Sequence, residues 1–432
     1  MKNVCIVGYG AIGPVHAKAL ENVENARLYA VCDTDSAKRK LCTEKYEVKE
    51  YDNFDQMLLN ENIHSVHICT PHYLHFDMVK KALKAGKDVV LEKPVTRTRE
   101  EFDTLLQLEG ADRICVVLQN RLNPCIQKLR SMVQSKELGA VQGVKGILTW
   151  SRNEAYYRSG DWRGKWDTEG GCLLINQAIH TLDFFQYVIG DIISVKADMF
   201  NYSLEHVIEA EDTLSAYLEF ENGIKGIFFA TNTYVRDSDP HFEVVFEKGT
   251  VRYMDKQLRL NGELLAEDTA PVIGKSYWGR GHAGLIKRYY DEQKYFTVYD
   301  ARNTMETVFD MYQSASTGAS EVRPVSKRHD RIAEITSYIR EHLSEDLSIN
   351  SLAERFYISP SYLSVIFKNE TGTTINKYVT AQRVALAKIR LSEGCSVAET
   401  CEQCGFRDYS NFLKVFSRSV GVSPKKFMQI QK

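Results

Sequence analysis

Apolar residues in the first third of the chain fall in short unbroken runs, at residues 4–7, 27–32, 65–69, 88–91 and 114–118. Runs without polar alternation suit strands covered on both faces. Between them lie stretches of helical spacing at 14–21, 36–46, 54–59 and 75–85. Strand and helix in regular alternation predict a parallel sheet with helices on both sides. From residue 141 the pattern changes. Runs at 141–150, 193–202, 212–220, 224–233, 242–247 and 249–254 read as longer, mainly antiparallel strands, and turns at 221–223 and 247–249 join the last four into a meander. A closing helix at 303–316 ends at Thr317 and Gly318.

Beyond a polar stretch at 319–327 that contains Pro324, the periodicity is wholly helical. Helices are expected at 329–343, 349–356, 360–369, 375–391, 397–404 and 408–419, with Ser359 capping the third and Asp408 the last. A short helix, a tight turn and a second helix occur twice, joined by the long helix 375–391, which is the pattern of a double helix-turn-helix. The expected fold is therefore an α/β Rossmann domain (1–121), an α+β substrate and oligomerisation domain with an open, mainly antiparallel sheet (122–320), a linker (321–327) and an all-α DNA-binding domain (328–432).

The first strand runs into Gly8-Tyr9-Gly10-Ala11-Ile12-Gly13, a GxGxxG turn. Gly8 permits the tight turn, Gly10 lets a pyrophosphate approach the backbone, and Gly13 lets the next helix pack on the strand. A phosphate held there by Ala11 and Ile12 meets free N–H groups and the positive end of the helix dipole. Asp33 follows the second strand at about the twenty-residue spacing of a ribose-binding carboxylate. It favours NAD over NADP, although Lys38 and Arg39 lie close by. The strand at 65–69 ends in Thr70-Pro71, which turns the backbone across the sheet edge, and His75 opens the following helix. The strand at 88–91 ends in Glu92-Lys93-Pro94, where a lysine beside a nicotinamide can donate to a substrate oxygen and, if desolvated, exchange its proton.

The chain has 432 residues and a net charge of −2. From residue 327 onward it carries sixteen Lys and Arg against eleven Asp and Glu, so an acidic body precedes a basic tail suited to a polyanion. The N-terminus enters a strand without a signal peptide, and no apolar run approaches the roughly twenty residues that span a bilayer. A cytoplasmic location without membrane contact is expected. Ten cysteines are scattered mostly through apolar runs, as buried thiols are. Cys401 and Cys404 lie one helical turn apart with Cys395 near, but no fourth ligand accompanies them, and no metal site is expected.

Residues 8–13 with His16, Thr70-Pro71 with His75, Ala85-Gly86-Lys87, Glu92-Lys93-Pro94 and Asn120-Arg121 resemble, in that order, the Gfo/Idh/MocA oxidoreductases. The resemblance covers about residues 1–325. Further along, Tyr156, Tyr157, Trp162 and Arg163 form an aromatic and basic segment able to stack on a sugar ring and bond its hydroxyls. Asn176, His180 and Asp183 follow a Gly170-Gly171 pair at helical spacing, on one face. The resemblance implies that His180 is the general acid/base, Lys93 its partner and Asn176 a positioning group where many relatives have Asp. Arg121, Tyr157, Trp162 and Arg163 would bind substrate with Asn176 and His180. It further implies a homodimer or tetramer built on one face of the sheet. The glycine-rich loop 277–282 is placed to close over the site.

In the tail, Ser359-Pro360-Ser361-Tyr362-Leu363 with Phe367-Lys368, Gly405-Phe406 with Asp408-Tyr409-Ser410, and Gly421-Val422-Ser423-Pro424 resemble the AraC-family DNA-binding domain over about residues 328–430. The resemblance implies two recognition helices entering successive major grooves about 34 Å apart. Ser361, Tyr362, Ser364 and Val365 would face bases in the first, and Ser410, Asn411 and Lys414 in the second. Lys368, Arg407 and Arg418 would meet phosphates. The joint expectation is a transcriptional regulator whose sensor is a NAD-binding sugar or cyclitol oxidoreductase module, with turnover retained. The alternatives are a catalytically dead sensor and a dehydrogenase with an accessory tail.

Overall fold

The computed structural model describes residues 1–269, 281–323, 328–356 and 360–431. The chain divides into two compact units, Met1–Val325 and Ser326–Lys432. In the first unit, β1 (Lys2–Val7), β2 (Ala26–Cys32), β3 (Lys49–Tyr51), β4 (Ser65–Ile68), β5 (Asp88–Leu91) and β6 (Ile114–Val116) form a six-stranded sheet in the order β3-β2-β1-β4-β5-β6. All neighbours are parallel. Val4, Cys5 and Ile6 in the middle of the sheet are fully buried, as an unbroken apolar run requires. Sheet growth reverses between β1 and β4, and this opens a crevice at the carboxyl ends of the strands. Gly8, Thr70 and Glu92 follow β1, β4 and β5 at that edge.

The second domain of this unit is built on a nine-stranded mixed sheet. Its strands are β7 (Val141–Thr149), β8 (Ile192–Phe200), β9 (Thr213–Phe220), β10 (Lys225–Thr231), β11 (His241–Phe246), β12 (Gly249–Met254), β13 (Gln257–Leu260), β14 (Glu263–Glu267) and β15 (Glu321–Val322), ordered β14-β13-β12-β11-β7-β10-β9-β8-β15. The hairpins β9–β10 and β11–β12 form as the turns predict. The four-strand meander does not: β7 inserts between them, parallel to β10 and antiparallel to β11. Val144, Gly146 and Leu148 of β7 turn their buried side toward the helical layer, where Phe185 packs against Phe228 and Phe242 and leaves no room for a side chain at residue 146. Turn residues decide only which sequence neighbours pair, and β7 is placed by this packing instead. The opposite face of the sheet exposes Tyr217, Ile227 and Phe229.

Within the stretch read as a linker, β15 pairs with β8, and Arg323 is ion-paired to Glu306 and Asp310 of the helix Arg302–Thr317. Those residues belong to the first unit. Residues 324–327 lie outside the described ones, as do residues 277–280 of the glycine-rich loop.

The second unit consists of helices Arg328–Glu341, Ile349–Arg355, Pro360–Thr371, Ile375–Ser392, Val397–Gln403, Tyr409–Val420 and Pro424–Gln431. Ser348, Thr374, Ser396 and Asp408 cap four of them, Ser396 in a reciprocal capping box with Glu399. The proposed cap Ser359 lies outside the described residues. Phe412 and Phe416 pack with Ala387, Leu391, Cys401 and Cys404 in one apolar cluster. The two cysteines are thus part of the core of the second motif. Arg383 of the long helix donates to the carbonyls of Leu343 and Glu345, each at 2.9 Å, and so binds the long helix to the segment after the first.

Candidate active site and nucleic-acid interface

A cleft of about 750 Å³ opens along the carboxyl edge of the parallel sheet and continues beneath the second domain. At its cofactor end, a side chain on Gly13 would meet the Gly8 carbonyl oxygen at 2.5 Å, so glycine is required for the helix Gly13–Leu20 to lie this close. Gly8 has φ of +87° and sits against the Cys69 carbonyl, while Gly10 faces open space. Such a cradle, with backbone N–H groups and room over Gly10, fits a dinucleotide pyrophosphate. Gly8, Gly10, Ala11, Ile12, Thr70 and Pro71 line the cleft. Gly13 does not; its part is packing.

Asp33 also lines the cleft, its carboxylate held by the Tyr9 N–H at 2.7 Å and the Asp35 N–H at 2.9 Å. Arg39 turns its guanidinium to the carbonyls of Asp33 and Thr34. His75 is fully buried, its ring nitrogens 2.7 and 3.0 Å from the carbonyl oxygens of Pro94 and Thr70, and the neutral ring donates to one of them. The expectation that it touches cofactor is corrected: it ties the turn after β4 to the turn after β5, and His72 takes the place on the cleft wall.

Glu92 and Lys93 separate in role. Glu92 Oε1 faces His16 Nε2 at 3.0 Å and His282 Nε2 at 3.5 Å, and the three donors lie within 4.8 Å of one another. Burial pushes the Glu92 carboxyl up, but the two histidines outweigh it and hold it well below the usual carboxylate range. His16 continues to His67, and His67 to Tyr290. Lys93 Nζ donates instead to the carbonyl and side-chain oxygens of Asn176, at 3.1 and 3.0 Å. Burial lowers the Lys93 ammonium below its ordinary range, Arg163 adds to this, and Glu92 and Glu169 partly offset it.

The carbonyl of Asn176 is accessible because residues Leu173–Ala178 form a wide π-helical turn before the α-helix Ile179–Val188. Such turns free a backbone group at functional sites. Behind Asn176 lies the buried Glu169, which accepts from the Asn176 amide and from the Gly164 N–H. Burial pushes Glu169 up to about 7 despite these bonds. His180 lines the cleft with its Nε2 at 3.3 Å from the Gln119 amide nitrogen. Burial, then the Lys93 charge, lowers His180 to about 3. Of the two groups, Glu169 and not His180 lies near neutrality.

Asp183, on the same helix, does not reach the cleft. Its carboxylate accepts from Arg121 at 2.8 and 2.7 Å and from Thr304 at 2.6 Å. Arg121 is consumed by this pair and the Asp300 carbonyl, so it is no cleft residue, contrary to the expectation. Tyr157 is corrected likewise. It is buried on Cys172 and Asn232, and its neighbour Tyr156 lines the cleft with Trp162 and Arg163. Gln119, His72 and Gln177 are cleft residues that sequence reasoning did not assign, whereas Tyr156 was read only as part of the aromatic segment. The alternation of Tyr156 and Tyr157 around a short helix was the available signal for it.

Burial lowers six histidines, His67, His72, His75, His180, His241 and His282, below their ordinary range. Below about pH 6.5 the unfolded chain binds these protons and the folded chain does not, so stability falls as pH falls. Glu169 and Glu211, both pushed up to about 7 by burial, oppose this between about pH 4.5 and 7, because the folded chain keeps protons that the unfolded one releases. Six sites outweigh two. The melting temperature is expected to rise from pH 5 to 6.5 in scanning calorimetry, and a flat or falling profile would contradict this ledger.

On the second unit, the helix Tyr409–Val420 buries Phe412 and Phe416 and exposes Ser410, Asn411, Lys414 and Arg418 on the other side. Arg407, before it, is exposed and lies 3.6 Å from Asp346. On the helix Pro360–Thr371, Ser364 and Lys368 are exposed, whereas the side chains of Ser361, Tyr362 and Val365 lie outside the described residues. Among the described residues, no helix is long and apolar enough to cross a membrane.

The family described as oxidoreductase family, NAD-binding Rossmann fold (Gfo/Idh/MocA), matches residues 2–119, and the Gfo/Idh/MocA C-terminal domain matches 126–252. A helix-turn-helix domain matches 352–430. The scyllo-inositol 2-dehydrogenase (NAD(+)) of Bacillus subtilis is 28% identical over 258 residues, covering 57% of this chain and 72% of that protein. The myo-inositol 2-dehydrogenase of Thermotoga maritima is 26% identical over 257 residues, covering 57% and 73%. The crystal structure of the WlbA dehydrogenase from Chromobacterium violaceum with NADH and UDP-GlcNAcA superposes with a TM-score of 0.66 at 28% identity, over 75% of this chain and 96% of that one. The chain belongs to the Gfo/Idh/MocA oxidoreductase family, with an AraC-type helix-turn-helix domain following the oxidoreductase domains.

Proposed function

We propose that this chain is a sequence-specific DNA-binding regulator, acting in the cytoplasm, whose sensor is a NAD-dependent oxidoreductase module that still turns over a sugar or cyclitol. The observation that carries the reading is the convergence of Lys93, Asn176 and His180 on the cleft of the glycine turn, in a chain that also holds two helix-turn-helix motifs. A pure sensor has no need of a desolvated lysine. NAD is favoured over NADP because Asp33 presents a carboxylate to the ribose end and Arg39 is engaged with backbone carbonyls, away from a 2′-phosphate.

When bound, the nicotinamide supplies a hydride acceptor. The residues then do the rest. His180 orients the substrate hydroxyl through a ring nitrogen, and Lys93, its ammonium lowered by burial, takes the hydroxyl proton once it has given up its own. Asn176 fixes the lysine by two hydrogen bonds and does not titrate. Trp162 and Tyr156 present faces on which a sugar ring packs. The exposed Tyr217, Ile227 and Phe229 on one sheet face suit a contact between copies, so a homodimer or tetramer is part of the reading.

Ligand acts on DNA binding only through a difference in affinity between two arrangements of the protein. The test is DNA binding by the full chain, with a sequence selected from random duplexes, with and without NADH and a sugar found by thermal shift. A changed dissociation constant is expected, and an unchanged curve at saturating ligand rejects the sensor role. Lys414→Ala is expected to weaken binding to the selected site by about 1–3 kcal/mol, and equal affinity removes Lys414 from the interface.

A further inference from the structure

The charges around the cleft balance at one end and not at the other. At the cofactor end, Lys38 lies 3.7 Å from Asp35, and Glu92 is matched by two histidines. At the substrate end, Arg152 is matched by Asp237 at 2.8 Å. Arg163 is not matched. Its Nη1 donates to the Tyr156 hydroxyl at 2.8 Å, and its guanidinium carbon sits 4.5 Å from the ring centres of both Tyr156 and Trp162. Among the described residues no carboxylate lies within ion-pair distance of it. Lys93 also has only the neutral oxygens of Asn176. The acid that faces both cations, Glu169, is buried behind Asn176 with its oxygens already bonded, and burial keeps it half-protonated near neutrality.

A half-buried cation that faces a cleft without a counterion is left short of partners, and a ligand that brings the anion supplies one. The two aromatic rings fix the plane of the Arg163 guanidinium, which lowers the entropy lost when its remaining N–H groups engage a ligand. We infer that the substrate of this cleft is an anionic sugar, and that Arg163 is the residue that reads its carboxylate or phosphate. The inference rests on the sugar-oxidoreductase reading and narrows it. It assigns Arg163 to binding and specificity; the proton transfer belongs to Lys93, with His180 orienting the hydroxyl.

The experiment measures thermal shifts of the full chain in saturating NADH with matched sets: glucose, glucuronate and glucose 6-phosphate, then the galactose and mannose counterparts, with inorganic phosphate alone as a further arm. One anionic member is expected to bind at least about tenfold more tightly than its neutral parent, and the carboxylate and phosphate arms identify which anion. Arg163→Gln is expected to erase that preference while leaving the shift caused by NADH alone, and Arg163→Lys to restore part of it. Neutral parents binding as well as their acids, or Arg163→Gln keeping the preference, would overturn the inference and leave the sugar reading standing. Inorganic phosphate reproducing the whole shift overturns it as well, since the site is then a general anion site. No response to any of these sugars, nor to myo- and scyllo-inositol run beside them, with a normal response to NADH, overturns both.

Discussion

Replacing Lys93 with methionine is expected to lower turnover by about 10²–10⁴ and to leave NADH affinity within about twofold. Lys93 touches Asn176, and the glycine turn and Asp33 stand apart from it at the cofactor end of the cleft. The loss should therefore fall on turnover, with little change at the pyrophosphate or ribose positions. A second readout comes from pH. Burial lowers the lysine, so in the wild type the oxidation rate is expected to rise with pH as Lys93 gives up its proton. In Lys93→Met that limb should vanish, because the remaining groups either stay neutral throughout, as His180 does, or titrate near 7, as Glu169 does. The measurements are steady-state rates across pH and NADH fluorescence titration on both proteins. A variant with wild-type turnover removes Lys93 from the chemistry.

The parts of this cleft that are contiguous in the chain were readable in the sequence, because one short segment both makes and displays them. Gly8 to Gly13 is a turn, a close approach and a helix start in six residues, and its residue types leave few other uses. Glu92 and Lys93 are neighbours at the end of a strand, yet their fates differ in a way no local pattern encodes. Glu92 meets His16 and His282 from distant parts of the chain, while Lys93 meets the π-helical turn. That turn itself was invisible. Helical spacing puts Asn176, His180 and Asp183 on one face only if the helix is α throughout, and the wide turn at Leu173–Ala178 together with the pull of Arg121 sends Asp183 inward. Tyr156 and Tyr157 show the same limit at smaller scale. Two adjacent aromatics on a short helix cannot both face the ligand, and the buried partners Cys172 and Asn232, which choose Tyr157 for the core, are far away in sequence. β7 follows the same logic, being placed by what it packs on, which the turn signals do not report.

The pair that misled the reading of the cleft gives the largest expected effect on stability. Arg121 and Asp183 are joined by two hydrogen bonds, with side chains 7% and 2% exposed, and Thr304 and the Asp300 carbonyl complete the network. The rings of Tyr187 and Phe296 lie 5.0 and 5.1 Å from the guanidinium. Arg121→Ala leaves the Asp183 carboxylate buried without its cation, a change worth about 3–5 kcal/mol. In a unit of this size that corresponds to a fall in melting temperature on the order of 10 °C, measured by calorimetry on the full chain. Removing both charges together should cost much less, because the double variant Arg121→Met with Asp183→Leu leaves no orphaned ion. The comparison separates two roles. Were Arg121 a substrate ligand, the single variant would keep its melting temperature and raise KM, and the double variant would recover nothing. As a buried strut it does the reverse: the single variant loses stability first, and the double variant regains most of it because what was lost was charge balance in the core.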